Sequence, residues 1–151
     1  MTKQKGVYSV EFAIVGGLFL MLLFAIIEIG RLMYTYNVLH EASRRAARIA
    51  VVCRINDADL QNMALFDGVD LVPNLAGTNL IISYVDSSGA DTTGVGIAMV
   101  RADIVNYQHQ FLIPGFDRII DSPTFTTSLP RESFGVYNPG TSGKSGLIDC
   151  N

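Results

Sequence analysis

No proline interrupts the chain between Gly6 and Val52, and that stretch, GVYSVEFAIVGGLFLMLLFAIIEIGRLMYTYNVLHEASRRAARIAVV, governs what the remainder can do. Phe12 to Ile27 gives sixteen consecutive uncharged residues, and beyond Gly30 the pattern turns amphipathic. The stretch reads as one continuous helix of roughly 70 Å, half membrane anchor and half stalk. From Val7 to Ile27 it offers about twenty residues, enough to span a hydrocarbon core. A secretory signal peptide would end in a small-x-small cleavage site, whereas here Glu28-Ile29-Gly30-Arg31 and further helix follow. A core helix of a small soluble domain would keep a polar face, and this run has none.

One residue makes a plain anchor uncomfortable. Glu11 stands inside the apolar segment, where a carboxylate costs roughly 2.5 to 3.5 kcal/mol, less if it snorkels to an end. No lysine or arginine lies one turn away on either side. Its partner must come from another chain or from a newly made terminus. Gly16 and Gly17 would weaken the helix in water by about 1 kcal/mol each. In a membrane, small residues let helices approach closely, and Ala13 sits one turn before Gly17. Close packing against another helix and a local bend are both open readings of the glycine pair.

The 151 residues allow one domain, and removing the first fifty leaves about a hundred for a head. The net charge is −3, and the densest positive patch is Arg44, Arg45 and Arg48, a single helix turn. That is no groove binder, so no nucleic-acid partner is expected. Cys53 and Cys150 stand at the two ends of the head, too few for a zinc site. They pair as a disulfide if the head lies outside the cytoplasm, or remain two free thiols if it does not. Pairing would close a loop of near a hundred residues, for which the chain-entropy estimate is about 4.7 kcal/mol.

Gly6-Val7-Tyr8-Ser9-Val10-Glu11-Phe12 resembles the prepilin-peptidase site of type IV pilin-like proteins, particularly those of the tight-adherence (Tad, or Flp) systems. The continuation, with Glu28-Ile29-Gly30-Arg31, Asn37 and Ala42-Ser43-Arg44-Arg45-Ala46-Ala47-Arg48, is similar to the TadE-like minor pilins, or pseudopilins. The companion TadF proteins share this N-terminal architecture. The family often carries a proline midway along the apolar run, where this chain has Gly16-Gly17, and the resemblance does not extend over the head. It implies cleavage after Gly6, so that Val7 becomes the amino terminus and Glu11 the fifth residue of the mature chain. It also implies that Glu11 neutralises the amino terminus of a neighbouring subunit. The partners implied are the prepilin peptidase, a major Flp-type pilin, a companion minor pilin and inner-membrane lipid, with neither cofactor nor small-molecule substrate.

From Arg31 onward Leu32, Thr35, Leu39, Ala42, Ala46, Ile49 and Cys53 fall on one helical stripe, with Tyr36, Ser43 and Ala50 beside it. Asn37, Glu41, Arg44, Arg45 and Arg48 lie opposite, and Glu41 to Arg44 or Arg45 and Glu28 to Arg31 are spaced for weak intrahelical pairs. Small residues on the stripe fit close packing against a sheet. Asn56 or Asp57 can cap a short helix through Asp67, stopped by Gly68. Leu80 to Val85 reads as a strand followed by the turn Asp86-Ser-Ser-Gly89. Val95 to Tyr107 reads as a long strand with a bulge near Ile104-Val105, which Gln108 to Pro114 continues, and Phe125 to Leu129 as a third strand. Pro130 to Asn151, rich in Gly, Pro, Ser and Asn, reads as loop or tail.

The expected fold is therefore α+β and pilin-like: one long N-terminal helix packed on a small antiparallel sheet of about three strands. Its parts would be a leader over 1–6, a transmembrane and assembly helix over 7–30, and a periplasmic head over 31–151. Within the head, 31–53 forms the spine, 80–129 the sheet and 130–151 the tail. Lys3 and Lys5 favour a cytoplasmic amino terminus, although Arg31 to Arg48 put more positive charge on the other side.

Nothing in the sequence has the form of a catalytic or metal site. His40 falls on the stalk and His109 in a strand or at its end. Ser142-Gly143-Lys144-Ser145 lacks the first glycine and the strand–loop–helix setting of a phosphate loop. Asp86-x-x-Gly89-x-Asp91 reads as an acidic turn rather than a calcium loop, and no role is evident for Arg131-Glu132. Two functions fit: a processed minor pilin of a tight-adherence pilus, or an unprocessed single-pass scaffold of an envelope secretion machine.

Overall fold

The computed structural model describes residues 5–55, 57–113, 118–136 and 150. Helix α1 runs without a break from Lys5 to Val52. Three strands, β1 (Leu80–Val85), β2 (Met99–Ile104) and β5 (Phe125–Pro130), form an antiparallel sheet in the order β1-β2-β5. A separate hairpin pairs β3 (Gln108–Gln110) with β4 (Ile119–Asp121). The short α2 (Leu60–Ala64) follows α1. The chain is thus α+β, with the distal half of one long helix laid on a small sheet.

The stripe expected on α1 is the face it buries. Thr35, Leu39, Ala42, Ser43, Ala46 and Ala50 are all buried, joined by Val38, Ala47 and Val51, while Asn37, Glu41, Arg44 and Arg48 are exposed. Alanines and a serine bring the helix backbone close to β2 and β5. Opposite them stand Val100, Ala102 and Ile104 of β2, the residues whose alternation points inward. Ser43 Oγ meets Thr127 Oγ1 at 2.8 Å, so this buried hydroxyl has a partner across the layer. Arg45 turns from its helical neighbour Glu41 to Asp67 (2.8 Å) and lies over the Phe66 ring.

The register explains how the head is oriented on the helix. Ile104 pairs with Leu80 and Phe125, and Phe125 meets Tyr36 edge to face, ring centroids 5.6 Å apart. At the other end Val100 clusters with Ala50, Val51 and Leu60. The β1–β2 turn therefore lies beyond the C-terminal end of α1, and the C-terminal end of β2 points back towards the apolar half.

Three expectations need correction. The long strand expected over Val95–Tyr107 spans only Met99–Ile104. Gly94–Gly96 forms a turn of 3-10 helix before it, and Asn106 takes a left-handed φ of 53° after it. Asn79 fastens that break, its Nδ2 donating to the carbonyls of Val105 (3.1 Å) and Asn106 (3.2 Å). Gln108 to Gln110 consequently does not continue β2 but pairs with Ile119–Asp121, a strand not foreseen in the sequence. The helix expected through Asp67 stops at Ala64, because Phe66 and Asp67 adopt φ of 63° and 56°. Asn56 and the Ser142–Ser145 segment lie outside the described residues.

The turn after β1 is as expected. The Asp86 carboxylate accepts from the Ser88 hydroxyl (2.6 Å) and from the amides of Ser88 (2.8 Å) and Ala90 (3.1 Å). Those bonds, the hydroxyl's first, hold it below the usual carboxylate range. Arg131 also acquires a role, its guanidinium donating to the carbonyls of Val95 (3.4 Å) and Ile97 (3.3 Å) at the mouth of the β1–β2 loop.

Candidate functional site

The proximal half of α1 stands clear of the head. Val7, Tyr8, Val10, Phe12, Ile14, Val15 and most side chains through Ile27 are exposed, an apolar surface on every side of the helix. The helix is long and apolar enough to cross a membrane. The expected processing pair Gly6 and Val7, the carboxylate Glu11, and the packing residues Ala13, Gly16 and Gly17 are distributed along this segment, away from the head. A Cβ added at Gly6, Gly16 or Gly17 would meet no atom within 4 Å. Nothing within the described chain requires those glycines.

Two carboxylates bracket the apolar run, Glu11 before it and Glu28 just after it, about 25 Å apart along the helix. Their environments are opposite. Glu11 is exposed and makes no hydrogen bond or ion pair with any described residue. Glu28 is 4% exposed, and three donors converge on it. Arg31 Nη1 lies 2.7 Å from Oε1 and 2.9 Å from Oε2, His109 Nε2 is 3.2 Å from Oε1, and the Leu112 amide donates to Oε2 at 3.5 Å. A carboxylate paired with arginine only accepts, so the His109 Nε2 carries the hydrogen in this contact.

His109 is itself 2% exposed, with Phe111 edge to face at 5.6 Å between centroids. Tyr107, the largest fully buried side chain among the described residues, donates its hydroxyl to the Pro73 carbonyl at 2.8 Å. Burial raises its pKa. The β3–β4 hairpin is thereby pinned by one buried tyrosine and one buried histidine to the point where α1 leaves the head. From sequence Glu28–Arg31 is a weak intrahelical pair and His109 has no evident role. The signal was there: a second carboxylate directly abutting an apolar run raises the same need for a partner that Glu11 does. Its histidine partner is 81 residues away, beyond the reach of any local pattern.

At the far end of α1 the cysteines meet. Cys53 and Cys150 form a disulfide with Cα atoms 5.6 Å apart. Cys150 N–H donates to Asp57 Oδ2 at 3.0 Å. The amides of Phe134 and Gly135 donate to the carbonyls of Val51 and Val52, which a helix end would otherwise leave open. This helix has neither a basic residue in its last turn nor a glycine after it, and the returning chain supplies the cap instead.

Among the described residues no group of three or more His, Cys, Asp or Glu side chains is placed to hold a metal ion. His40 is exposed and tilted over Phe125, ring centroids 6.2 Å apart. No characterised protein and no solved structure matches the chain. Residues 6–48, the segment that runs from the glycine before Val7 to the last arginine of the stalk, match the family model for TadE-like protein. Over that segment, which covers the apolar run and the first part of the spine, the chain is similar to the TadE-like proteins of the Tad system.

Proposed function

We propose that the chain is a minor pilin, or pseudopilin, of a tight-adherence (Flp) pilus used for surface attachment. It inserts into the inner membrane with its amino terminus in the cytoplasm and its head in the periplasm. The prepilin peptidase cuts after Gly6, and the apolar helix then packs laterally against the major pilin and a companion minor pilin. The similarity of residues 6–48 to the TadE-like family supports a Tad-pilus-associated, minor-pilin-like protein. The disulfide supports an oxidising compartment for the head.

The observation that carries the reading is the contrast between the two carboxylates. Glu28 meets its donors within the chain, whereas Glu11, on the same helix, has none among the described residues. Cutting after Gly6 creates a cationic amino terminus at Val7, the complement of Glu11, and lateral packing lets one subunit's terminus meet the next subunit's carboxylate. Gly16 and Gly17, unneeded within the chain, would allow the close approach.

Glu11→Ala tests this. It removes a charge that costs roughly 2.5 to 3.5 kcal/mol in hydrocarbon, so the amount of protein in the membrane fraction should hold or rise. It also leaves a neighbour's amino group unpaired, at a cost of roughly 3 to 5 kcal/mol, so incorporation into sheared pili should fall by about tenfold or more. Unchanged piliation would remove the charge-pairing argument.

A further inference from the structure

We infer that the β3–β4 hairpin is a lipid-contacting foot, which rests in the headgroup region of the membrane that α1 crosses. The inference rests on the membrane-anchor reading of α1 and goes beyond it, by assigning the bilayer a second contact on the head.

The placement follows from Glu28. That residue directly follows Ile27, the last of the apolar run, and its carboxylate is held by the His109 ring and the Leu112 amide. The hairpin is therefore fixed at the level where the apolar helix ends, while the three-stranded sheet covers α1 further along. Its surface is not that of an ordinary exposed hairpin. Leu112 is 67% exposed and Ile119 60%, with Ile120 also exposed. The Phe111 amide donates to the Arg118 carbonyl (3.3 Å), which sets these residues on adjoining strand ends. Leu112, whose amide reaches Glu28, stands at the level of Ile26, Ile27 and Ile29 of the helix, also exposed, so exposed apolar side chains occur on both α1 and the hairpin at this level.

Its polar groups suit a membrane surface. Arg118 is exposed beside Ile119, and Arg31, the partner of Glu28, keeps about a third of its side chain open. Arg31 follows the end of the apolar run by one helical turn and the Arg118 backbone pairs with Phe111 next to Leu112, so on this reading both cations would reach lipid phosphates. Tyr34 is exposed about 10 Å above Ile27 along the helix, within the depth an interfacial aromatic occupies. An apolar patch on a hairpin held in water at this level would have nothing to cover it, whereas the acyl–headgroup boundary covers it without further folding. The consequence is mechanical: a helix with one contact to the bilayer can rotate and tilt, and a foot fixed through Glu28 restricts both.

The chain contains no tryptophan, so one can be introduced as a unique probe. Leu112→Trp, Ile119→Trp, Phe19→Trp and Val95→Trp are each made in the full chain and reconstituted in vesicles of phosphatidylethanolamine and phosphatidylglycerol. The acyl chains carry bromine either near the ester or at mid-chain. All four sites are exposed, so folding should be spared. Leu112→Trp and Ile119→Trp should emit to the blue and lose roughly half of their emission or more to the shallow bromine, and less to the deep one. Phe19→Trp should be quenched more by the deep bromine. Val95→Trp, 97% exposed at the far end of the head, should be unaffected. If Phe19→Trp is quenched while Leu112→Trp behaves like Val95→Trp, the foot is refuted and the anchor stands. If Leu112→Trp is blue-shifted but unquenched, and reverts as protein is diluted in lipid, the patch docks on a second chain and the lipid assignment is overturned. If Phe19→Trp is itself unquenched, α1 is no anchor and the foot falls with it.

Discussion

Glu28→Ala is expected to detach the β3–β4 hairpin from α1 while leaving the three-stranded sheet in place. The carboxylate accepts from Arg31, His109 and the Leu112 amide, and it is almost wholly out of water. Removing one member of a buried polar cluster costs more than forming it contributed, because the others keep their desolvation without their bonds. Arg31 is partly exposed and can turn to water, so its share is small. His109 cannot, since its ring is buried between the hairpin and α1. The expected loss is about 2 to 4 kcal/mol, concentrated in the hairpin. Amide exchange reads this directly. Protection should collapse at Gln110 and its neighbours in β3 and β4 and persist in β1, β2 and β5. A double-mutant cycle with His109→Phe should give a coupling of roughly 1 to 3 kcal/mol. Additive single costs would mean that the two side chains are merely adjacent.

The second large effect is expected at the other end of the helix. Cys53→Ser removes the disulfide to Cys150, which closes a loop of 97 residues. Loss of a native disulfide from a small extracytoplasmic domain costs about 2 to 5 kcal/mol, and the chain-entropy estimate for this loop is near the upper end. For a head of about a hundred residues, that corresponds to a fall in Tm of roughly 10 to 25 °C. The returning chain also caps the Val51 and Val52 carbonyls and brings the Cys150 amide to Asp57, so its release opens the last turn of α1. Thermal unfolding of the full chain in detergent, with and without reductant, checks the value. The wild-type protein should drop to the level of Cys53→Ser on reduction, and the variant should not respond. A reductant-insensitive wild type with two alkylatable thiols would show that the bond does not form in the protein as made.

The two variants separate parts of the molecule that were not equally legible in the sequence. The helix was fully legible, since an unbroken apolar run followed by a stripe of small residues has few other solutions. So was β1, whose bounds match because the apolar run of Leu80 to Val85 ends at an Asx turn with Gly89 at φ 86°. The strand β2 was overextended at both ends. Apolar alternation does continue through Val95 and Tyr107, but Gly94 and Asn106 take left-handed backbone conformations that end pairing. The hairpin was not legible at all. Gln108-His109-Gln110 is polar and three residues long, and what seats it is a buried histidine answering a carboxylate on a distant helix. The disulfide was legible as one of two alternatives, because nothing in the sequence alone decides whether two cysteines almost a hundred residues apart meet.

The candidate assembly residues show the same limit from the other side. Glu11 attracts notice because a charge in an apolar run is expensive, and no described residue answers that charge. Gly16 and Gly17 likewise have no steric reason within the described chain. A residue whose reason lies in another subunit shows up in a single chain only as an unmet requirement. Glu28 is the counterpart: the same requirement, met internally, marks a structural joint.

Everything in this account turns on whether the chain is cut before it is used. The most direct measurement is the intact mass, with N-terminal sequencing, of the protein isolated from cells that contain the prepilin peptidase and from cells that lack it. With the peptidase the chain should begin at Val7, short by Met1 to Gly6, and without it the leader should remain. A chain still carrying Lys5-Gly6-Val7 in the presence of the peptidase would contradict the account and leave an unprocessed membrane scaffold in its place.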